Sequence, residues 1–222
     1  MKFCNICGCS EFFDFNKRHN VLCSACKSLE RHRVVRWGLE QLGYLDIPAT
    51  YGKKRALHLA PEEMTHRYLI KSFAAGYICA DLKPENYPHA KCMKLQLPEG
   101  FDFFPECYFD LILHNHVLEH IPGDYRDHLN SFLNLLKPGG HLVFTIPGIS
   151  NKALTIQGGE HLSNDFERIR LHGQADHFKT FGYDLMDWFK KMPGEFAPME
   201  IAAETRSRIN APSESLFVYT KI

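Results

Sequence analysis

At 222 residues the chain can build one sizeable core with a small appendage, and domain-size statistics favour one main domain. Apolar residues make up 45% and charged residues 23%, proportions of a soluble globular protein that exclude a disordered or fibrous chain. Lys and Arg total 26 against 26 Asp and Glu, so no overall basic field points to nucleic acid and only local patches remain to be weighed. No run of 18 apolar residues offers a membrane span, and MKFCNICGCS lacks the apolar core of a secretion signal, so the expected location is cytoplasmic.

Cys4, Cys7, Cys9, Cys23 and Cys26 crowd the first 26 residues, which in a chain of this size points to metal rather than to a disulfide framework. Cys4-Asn5-Ile6-Cys7 and Cys23-Ser24-Ala25-Cys26 are two CxxC turns, and two such turns complete the tetrahedral thiolate shell of a structural zinc ion. A site closed by four sulfurs would staple a segment too small to fold alone, with binding and folding coupled. Reactive or redox-paired thiols are the competing reading, and Cys9 is a spare thiol or an alternative ligand. The expected division is a zinc-ribbon-like module over residues 1–30, a linking helix over 31–52 and the main domain over 53–222. Leu29, Val34, Val35, Trp37, Leu39, Leu42 and Leu45 outline that helix as amphipathic. Lys27, Arg31, Arg33 and Arg36 either contact the phosphates of a nucleic acid or lie solvated on its outer face, and the zero net charge favours the second reading.

Ala56 to Ala60 reads as the first strand of the main sheet, and Pro61 interrupts it. Glu62 to Ile70 has helical character, with acidic residues in the first turn where the helix dipole favours them. Tyr77 to Asp81 is a second strand closing on a carboxylate, which at a strand's carboxyl end can take both hydroxyls of a vicinal diol; a solvated Asp opening a loop is the alternative. Lys91 to Pro98 is a weaker third strand. The clearest unit spans 109–147. Phe109 to Leu113 has the length of a buried strand, Leu129, Phe132, Leu133, Leu135 and Leu136 share a helical face, Lys137-Pro138-Gly139-Gly140 stops the helix, and His141 to Ile146 is the next strand. Strand, helix and strand with short joins imply a parallel sheet, whose ligands lie outside the carboxyl ends of its strands.

The loop from His114 to His120 is therefore the first place to look for chemistry. His116 and His120, four apart, could hold a metal with a third ligand; either could act as a general base near neutral pH, and a packed or surface histidine is the bland alternative in a chain with 13 of them. Gly148 to Gly159 reads as a loop that could cap the site. Glu167 to Lys179 gathers Arg, Gln, Asp and His that core packing does not require. There Asp176 and His177 could orient a base or hold a polar acceptor, against a structural salt bridge from Asp176 to Arg168 or Arg170. Phe181 to Met192 is expected as an amphipathic helix, and Met199 to Thr205 and Leu216 to Thr220 as the last two strands.

FDLIL, HVLEHIP, LKPGG and the apolar strand after them resemble the fourth and fifth strand segments of class I S-adenosylmethionine-dependent methyltransferases. The CxxC pair, Leu57-His58-Leu59-Ala60-Pro61-Glu62 and the stretch 167–179 resemble a subgroup with a zinc-binding N-terminus and LHxAPE in place of the usual glycine-rich loop. The resemblance implies an α/β fold with a Rossmann-like, doubly wound, mostly parallel sheet and a C-terminal antiparallel hairpin, holding S-adenosylmethionine beside a structural zinc on Cys4, Cys7, Cys23 and Cys26. It implies cofactor contacts from His58, Ala60, Pro61, Glu62, Asp81, Leu82, Asn115, His116 and Val117, and it puts His116, His120, Asp176 and His177 forward as catalytic candidates. Ala60 and Glu62 stand where that class places glycines, and His58 where an acid is common. Lys94 stands where an acid often meets adenine and cannot accept that bond, which leaves Gln96 or a backbone group. The expected acceptor is a polar small molecule or a sugar-like substrate. RNA methylation through the zinc module, or a non-catalytic zinc-stapled binding protein on the same fold, are the alternatives.

Overall fold

The computed structural model describes residues 2–45 and 53–222, so the last part of the expected linking helix, 46–52, lies outside the described residues. A short antiparallel hairpin, β1 (Phe12–Phe15) and β2 (Arg18–Cys23), carries the cysteine turns and leads into helix α1 (Glu30–Gln41). The main sheet holds β3 (Ala56–Leu59), β4 (Tyr77–Asp81), β5 (Met93–Lys94), β6 (Phe109–Asn115), β7 (Leu136–Thr145), β8 (Gly194–Pro198) and β9 (Phe217–Lys221). Its order is β5-β4-β3-β6-β7-β9-β8. The pairings from β5 to β7 are parallel, while β9 runs antiparallel to both β7 and β8. The chain winds outward from β3 to one edge and then from β6 to the other, so the order reverses between β3 and β6 and leaves a crevice at their carboxyl ends.

Helices α2 (Glu63–Phe73), α3 (Tyr125–Leu135), α4 (Asp165–His172), α5 (Asp184–Phe189) and α6 (Ala203–Arg208) complete the chain. The central strands are covered on both faces, so neighbouring residues go to opposite cores. Leu57, Leu59, Ile112, Leu142 and Phe144 pack with Leu129 and Phe132 of α3 and with Leu185 and Phe189 of α5. Ala56, Leu111, Leu113 and Val143 pack with Val34, Val35 and Leu39 of α1 and with Tyr68, Leu69 and Phe73 of α2. Helix α1 is thus a full member of one helical layer.

Three local expectations are corrected. Leu136 begins β7 opposite Phe109, and Lys137 to Gly140 bulge before the ladder resumes at His141 opposite Leu111. A Cβ on Gly140 would stand 2.9 Å from the Lys137 carbonyl oxygen and 3.1 Å from that of Phe109, which excludes any side chain there. The helix expected over 181–192 is only α5. The penultimate strand is β8 rather than 199–205, which turns into α6. β8 is a largely exposed edge whose anchor is Phe196, stacked 3.9 Å from Phe189, so it lacks the apolar alternation that marks a strand in sequence.

Candidate functional site

At the switch point β3 ends in a turn built without glycine. Ala60 adopts φ +49°, the left-handed conformation, while its N–H donates to the Ala80 carbonyl at 3.1 Å and Glu62 N–H returns to Ala60 O at 2.8 Å. Glu62 at the head of α2 gathers three partners from two other elements, α1 and β6. Arg31 donates through Nε at 3.0 Å and through Nη2 to Oε1, His32 Nε2 lies 2.8 Å from the same oxygen, and Asn115 Nδ2 donates to Oε2 at 3.2 Å. Burial pushes the Glu62 pKa up, but His32 and Arg31 overcome it and hold the carboxyl well below its usual range. Asn115 is fixed in turn by Thr145, whose Oγ1 donates to Oδ1 at 3.2 Å. His116 follows at φ +52° with its N–H on the Thr145 carbonyl at 3.0 Å.

Asp81 closes β4, and its Oδ1 accepts the Lys83 N–H at 2.8 Å across an exposed turn that includes Leu82. The structure therefore brings Ala60, Pro61, Glu62, Asp81, Leu82, Asn115, His116 and Val117 to the carboxyl ends of three adjacent strands. His58 is elsewhere. It is enclosed within β3 with Nδ1 2.8 Å from the Tyr77 hydroxyl, and burial pushes its pKa down to about 3, so the ring is neutral.

A second group lies beyond β6. Leu118–His120 is a single 3-10 turn, closed off by Pro122, so His116 and His120 do not line one helical face as their spacing alone suggests. Glu119 is wholly buried, with neither carboxylate oxygen hydrogen-bonded, and burial pushes its pKa up. His120 and His177 meet edge to face with ring centres 4.8 Å apart. The Phe178 N–H donates to the Glu119 carbonyl at 2.8 Å, which clamps the 176–178 segment to this turn. The Asp176 carboxylate faces His120 at 3.6 Å; Arg168 is instead committed to Asp165 and to the carbonyls of Ala175 and Leu162, the latter two at 2.6 and 2.9 Å. A cavity of about 240 Å³ lies alongside, lined by His172, His177, Lys179 and Thr180 together with Pro147 to Ser150. Burial pushes the Lys179 pKa down to about 8.

The four N-terminal cysteines converge. Cys4 and Cys26 sulfurs are 3.6 Å apart and those of Cys7 and Cys23 3.5 Å, and all four lie within 4.8 Å of one another. Metal–sulfur bonds of ~2.3 Å in a tetrahedron place the sulfurs ~3.8 Å apart, so the donor set suits zinc. Cys9 faces the Ser24 hydroxyl at 3.2 Å, outside the cluster. The arginines of the basic run are not the solvated row expected. Arg31 reaches Glu62, Arg36 pairs with Glu40 at 2.9 Å, and Arg33 is fully buried. Arg33 donates to the carbonyls of Val21, Ser28, Ile209 and Asn210 at 2.7–3.0 Å, tying the hairpin to the C-terminal tail. Sequence reasoning missed the Arg31–His32–Glu62 contact. Its one cue is a pair of basic side chains in the first turn of α1, where the helix dipole disfavours cations unless an anion is near.

This sheet order, with a reversed last strand inserted between β7 and β8, defines a class I methyltransferase fold, and residues 52–192 match the family described as "Methyltransferase domain". The chain belongs to that family and is an S-adenosylmethionine-dependent methyltransferase domain. Among solved structures, a SAM dependent methyltransferase from Archaeoglobus fulgidus is similar at TM-score 0.51 and 14% identity, covering 86% of this chain and 94% of that one. A Haloferax volcanii methyltransferase structure, in complex with the Trm112 methyltransferase activator, is similar at TM-score 0.50 and 12% identity, with 86% and 92% covered. The chain spans about half, 52%, of the CurJ carbon methyltransferase, at TM-score 0.49, 14% identity and 85% of this chain. At these identities the likeness is one of fold. No curated protein matches the chain. Among the described residues no helix is long and apolar enough to cross a membrane.

Proposed function

We propose that the chain transfers a methyl group from S-adenosylmethionine to a polar small-molecule or sugar-like acceptor, with the cofactor held across the carboxyl ends of β3, β4 and β6. The observation that carries this reading is the pairing of two features on a methyltransferase sheet: a carboxylate, Asp81, at the end of β4, and a small cavity beyond β6 where His172, His177, Lys179 and Thr180 face apolar walls from Pro147, Ile149 and Phe181. When bound, the cofactor supplies a methyl group already activated as a sulfonium, so the protein's share is alignment and exclusion of water. Asp81 accepts from the ribose hydroxyls. Ala60, already in the left-handed conformation a glycine would take, lets the Ala60-Pro61-Glu62 backbone approach the cofactor closely, which argues against a turn that has lost its ligand. Asn115, His116 and Val117 lie beneath it, Leu82 flanks it, and His116, His120, Asp176 and His177 frame the acceptor side.

Residues 1–30 are read as a zinc module and 53–222 as the methyltransferase domain, joined through α1. RNA is the weaker acceptor, because Arg31, Arg33 and Arg36 are engaged within the fold rather than presented to phosphates. The test is calorimetric titration with S-adenosylmethionine of the wild type and Asp81→Ala. Saturable binding weakened about tenfold or more by the substitution is expected, matching the ~1.5–3 kcal/mol of a hydrogen bond to a charged group. No binding at millimolar ligand overturns the proposal, and salt-sensitive retention of RNA in preference to small hydroxyl acceptors would replace its acceptor half.

A further inference from the structure

Glu119 poses a problem that packing does not solve. Its carboxylate is wholly enclosed and neither oxygen has a hydrogen-bond partner, a costly state for an anion unless a cation or a proton neutralises it. The nearest base, His116 Nδ1, stands 3.6 Å from Oε1, beyond hydrogen-bond length, and Lys179 spends its ammonium on the Ile121 carbonyl.

Two imidazoles complete the arrangement. One ligand atom each from Glu119, His120 and His177 lie within 4.8 Å of one another. His120 Nδ1 is 2.8 Å from the Asp176 carbonyl oxygen, and His177 Nδ1 is 3.2 Å from that of His172. A carbonyl oxygen only accepts, so each Nδ1 carries a proton, and in the neutral ring the lone pair then sits on Nε2. Histidines that ligate metals are held in this way, with the remote nitrogen donating to a backbone carbonyl that fixes ring and tautomer. The Phe178–Glu119 backbone bond locks the two contributing segments together before any ion arrives.

We propose that Glu119, His120 and His177 bind a divalent first-row transition-metal ion whose open positions take a hydroxyl or carboxylate oxygen of the acceptor. Two imidazoles and one carboxylate leave coordination positions free, and the nitrogen donors select zinc, iron, cobalt, nickel or copper over magnesium and calcium. His177 belongs both to this triad and to the wall of the cavity beyond β6, so the ion sits at the edge of the space assigned to the acceptor. The acceptor half of this inference rests on the proposed function; the metal half does not. The triad is distinct from the cysteine cluster, whose ligands come from the N-terminal hairpin and its flanking turns.

The full chain, zinc-loaded at its cysteines, is titrated with Co²⁺ while metal content is measured by mass spectrometry. The wild type is expected to hold one zinc and one exchangeable cobalt per chain, the cobalt with the visible absorption of a nitrogen–oxygen site and no thiolate charge-transfer band. Glu119→Gln and His120→Ala are expected to keep the zinc and to weaken cobalt binding tenfold or more; His120 is partly exposed, so its variant serves even if Glu119→Gln disturbs folding. A single metal equivalent in the wild type at saturating cobalt overturns the site, and so does unchanged cobalt affinity in both variants. S-adenosylhomocysteine titrated in parallel separates the two readings. Cobalt binding without S-adenosylhomocysteine binding overturns the acceptor half alone, and S-adenosylhomocysteine binding without the second metal overturns the metal half alone.

Discussion

His114 lies in the middle of the sheet between the rings of Phe132 and Phe144, stacked on each at 5.2 Å, and neither of its nitrogens has a partner. Burial pushes its pKa down to about 3, as it does for His58 on the neighbouring strand. Both rings take up a proton near pH 6.5 when unfolded and resist it when folded, so the unfolded chain binds more protons below that pH. Their contribution is complete above about pH 6.5 and is lost as pH falls toward 3, at ~1 kcal/mol per pH unit for each histidine. Thermal unfolding from pH 7.5 to 5 should therefore shift downward with acid. His114→Phe, which keeps an aromatic ring between the two phenyls, should make that slope shallower; a melting temperature flat across the range would mean that the ring is hydrated in solution. Arg33 invites a different substitution. Arg33→Met keeps much of its volume and removes every donor from the four carbonyls it serves, which costs roughly 3 kcal/mol or more in denaturant unfolding. An unchanged midpoint would show those carbonyls to be served by water. The sequence could not reveal this role, because the carbonyls come partly from residues 209 and 210, far along the chain.

At the scale of elements, legibility followed the strength of local pattern. The β6–α3–β7 unit stood out because apolar runs of strand length flank an amphipathic helix; what needed coordinates is that Leu136 to Gly140, expected as the helix end and its stop, already belong to β7 and bulge there. The CxxC turns were equally plain, since four thiols at that spacing have few structural uses other than metal. β5, two residues long, and β8, an exposed edge, carry little pattern because neither buries a full alternating face. The 118–120 turn shows the limit of spacing arguments. The four-residue interval pairs His116 with His120 on an assumed helix, whereas the partner His120 meets is His177, brought back by the chain that follows β7. The strand-end positions of the candidate cofactor site were legible because topology puts ligands there; the polar cluster around Glu62 was not, since it is assembled from α1, α2 and β6.

Across the whole molecule these contacts make the cysteine hairpin more than an appendage. Helix α1 starts at Glu30, four residues after Cys26, so the cysteine cluster sits just ahead of where that helix begins. Arg31 and His32 in its first turn hold Glu62 at the switch point, and Glu62 reaches Asn115 at the end of β6. Arg33, one residue further, fastens the same helix to the hairpin and to the tail before β9. Loss of zinc would release the first turn of α1 while the sheet and its two cores stay intact, and the cofactor turn would lose the Arg31 and His32 contacts that hold its carboxylate. Removing zinc by chelation should therefore lower the melting temperature and weaken S-adenosylhomocysteine binding about tenfold, with far-ultraviolet circular dichroism changing little. Glu62→Gln in the zinc-loaded protein should reproduce the weakened binding without loss of metal, which separates the relay from the staple. Full affinity in the zinc-free protein would confine the hairpin to a stabilising role and leave the Arg31–Glu62 contact to the folding of α1 and α2 alone.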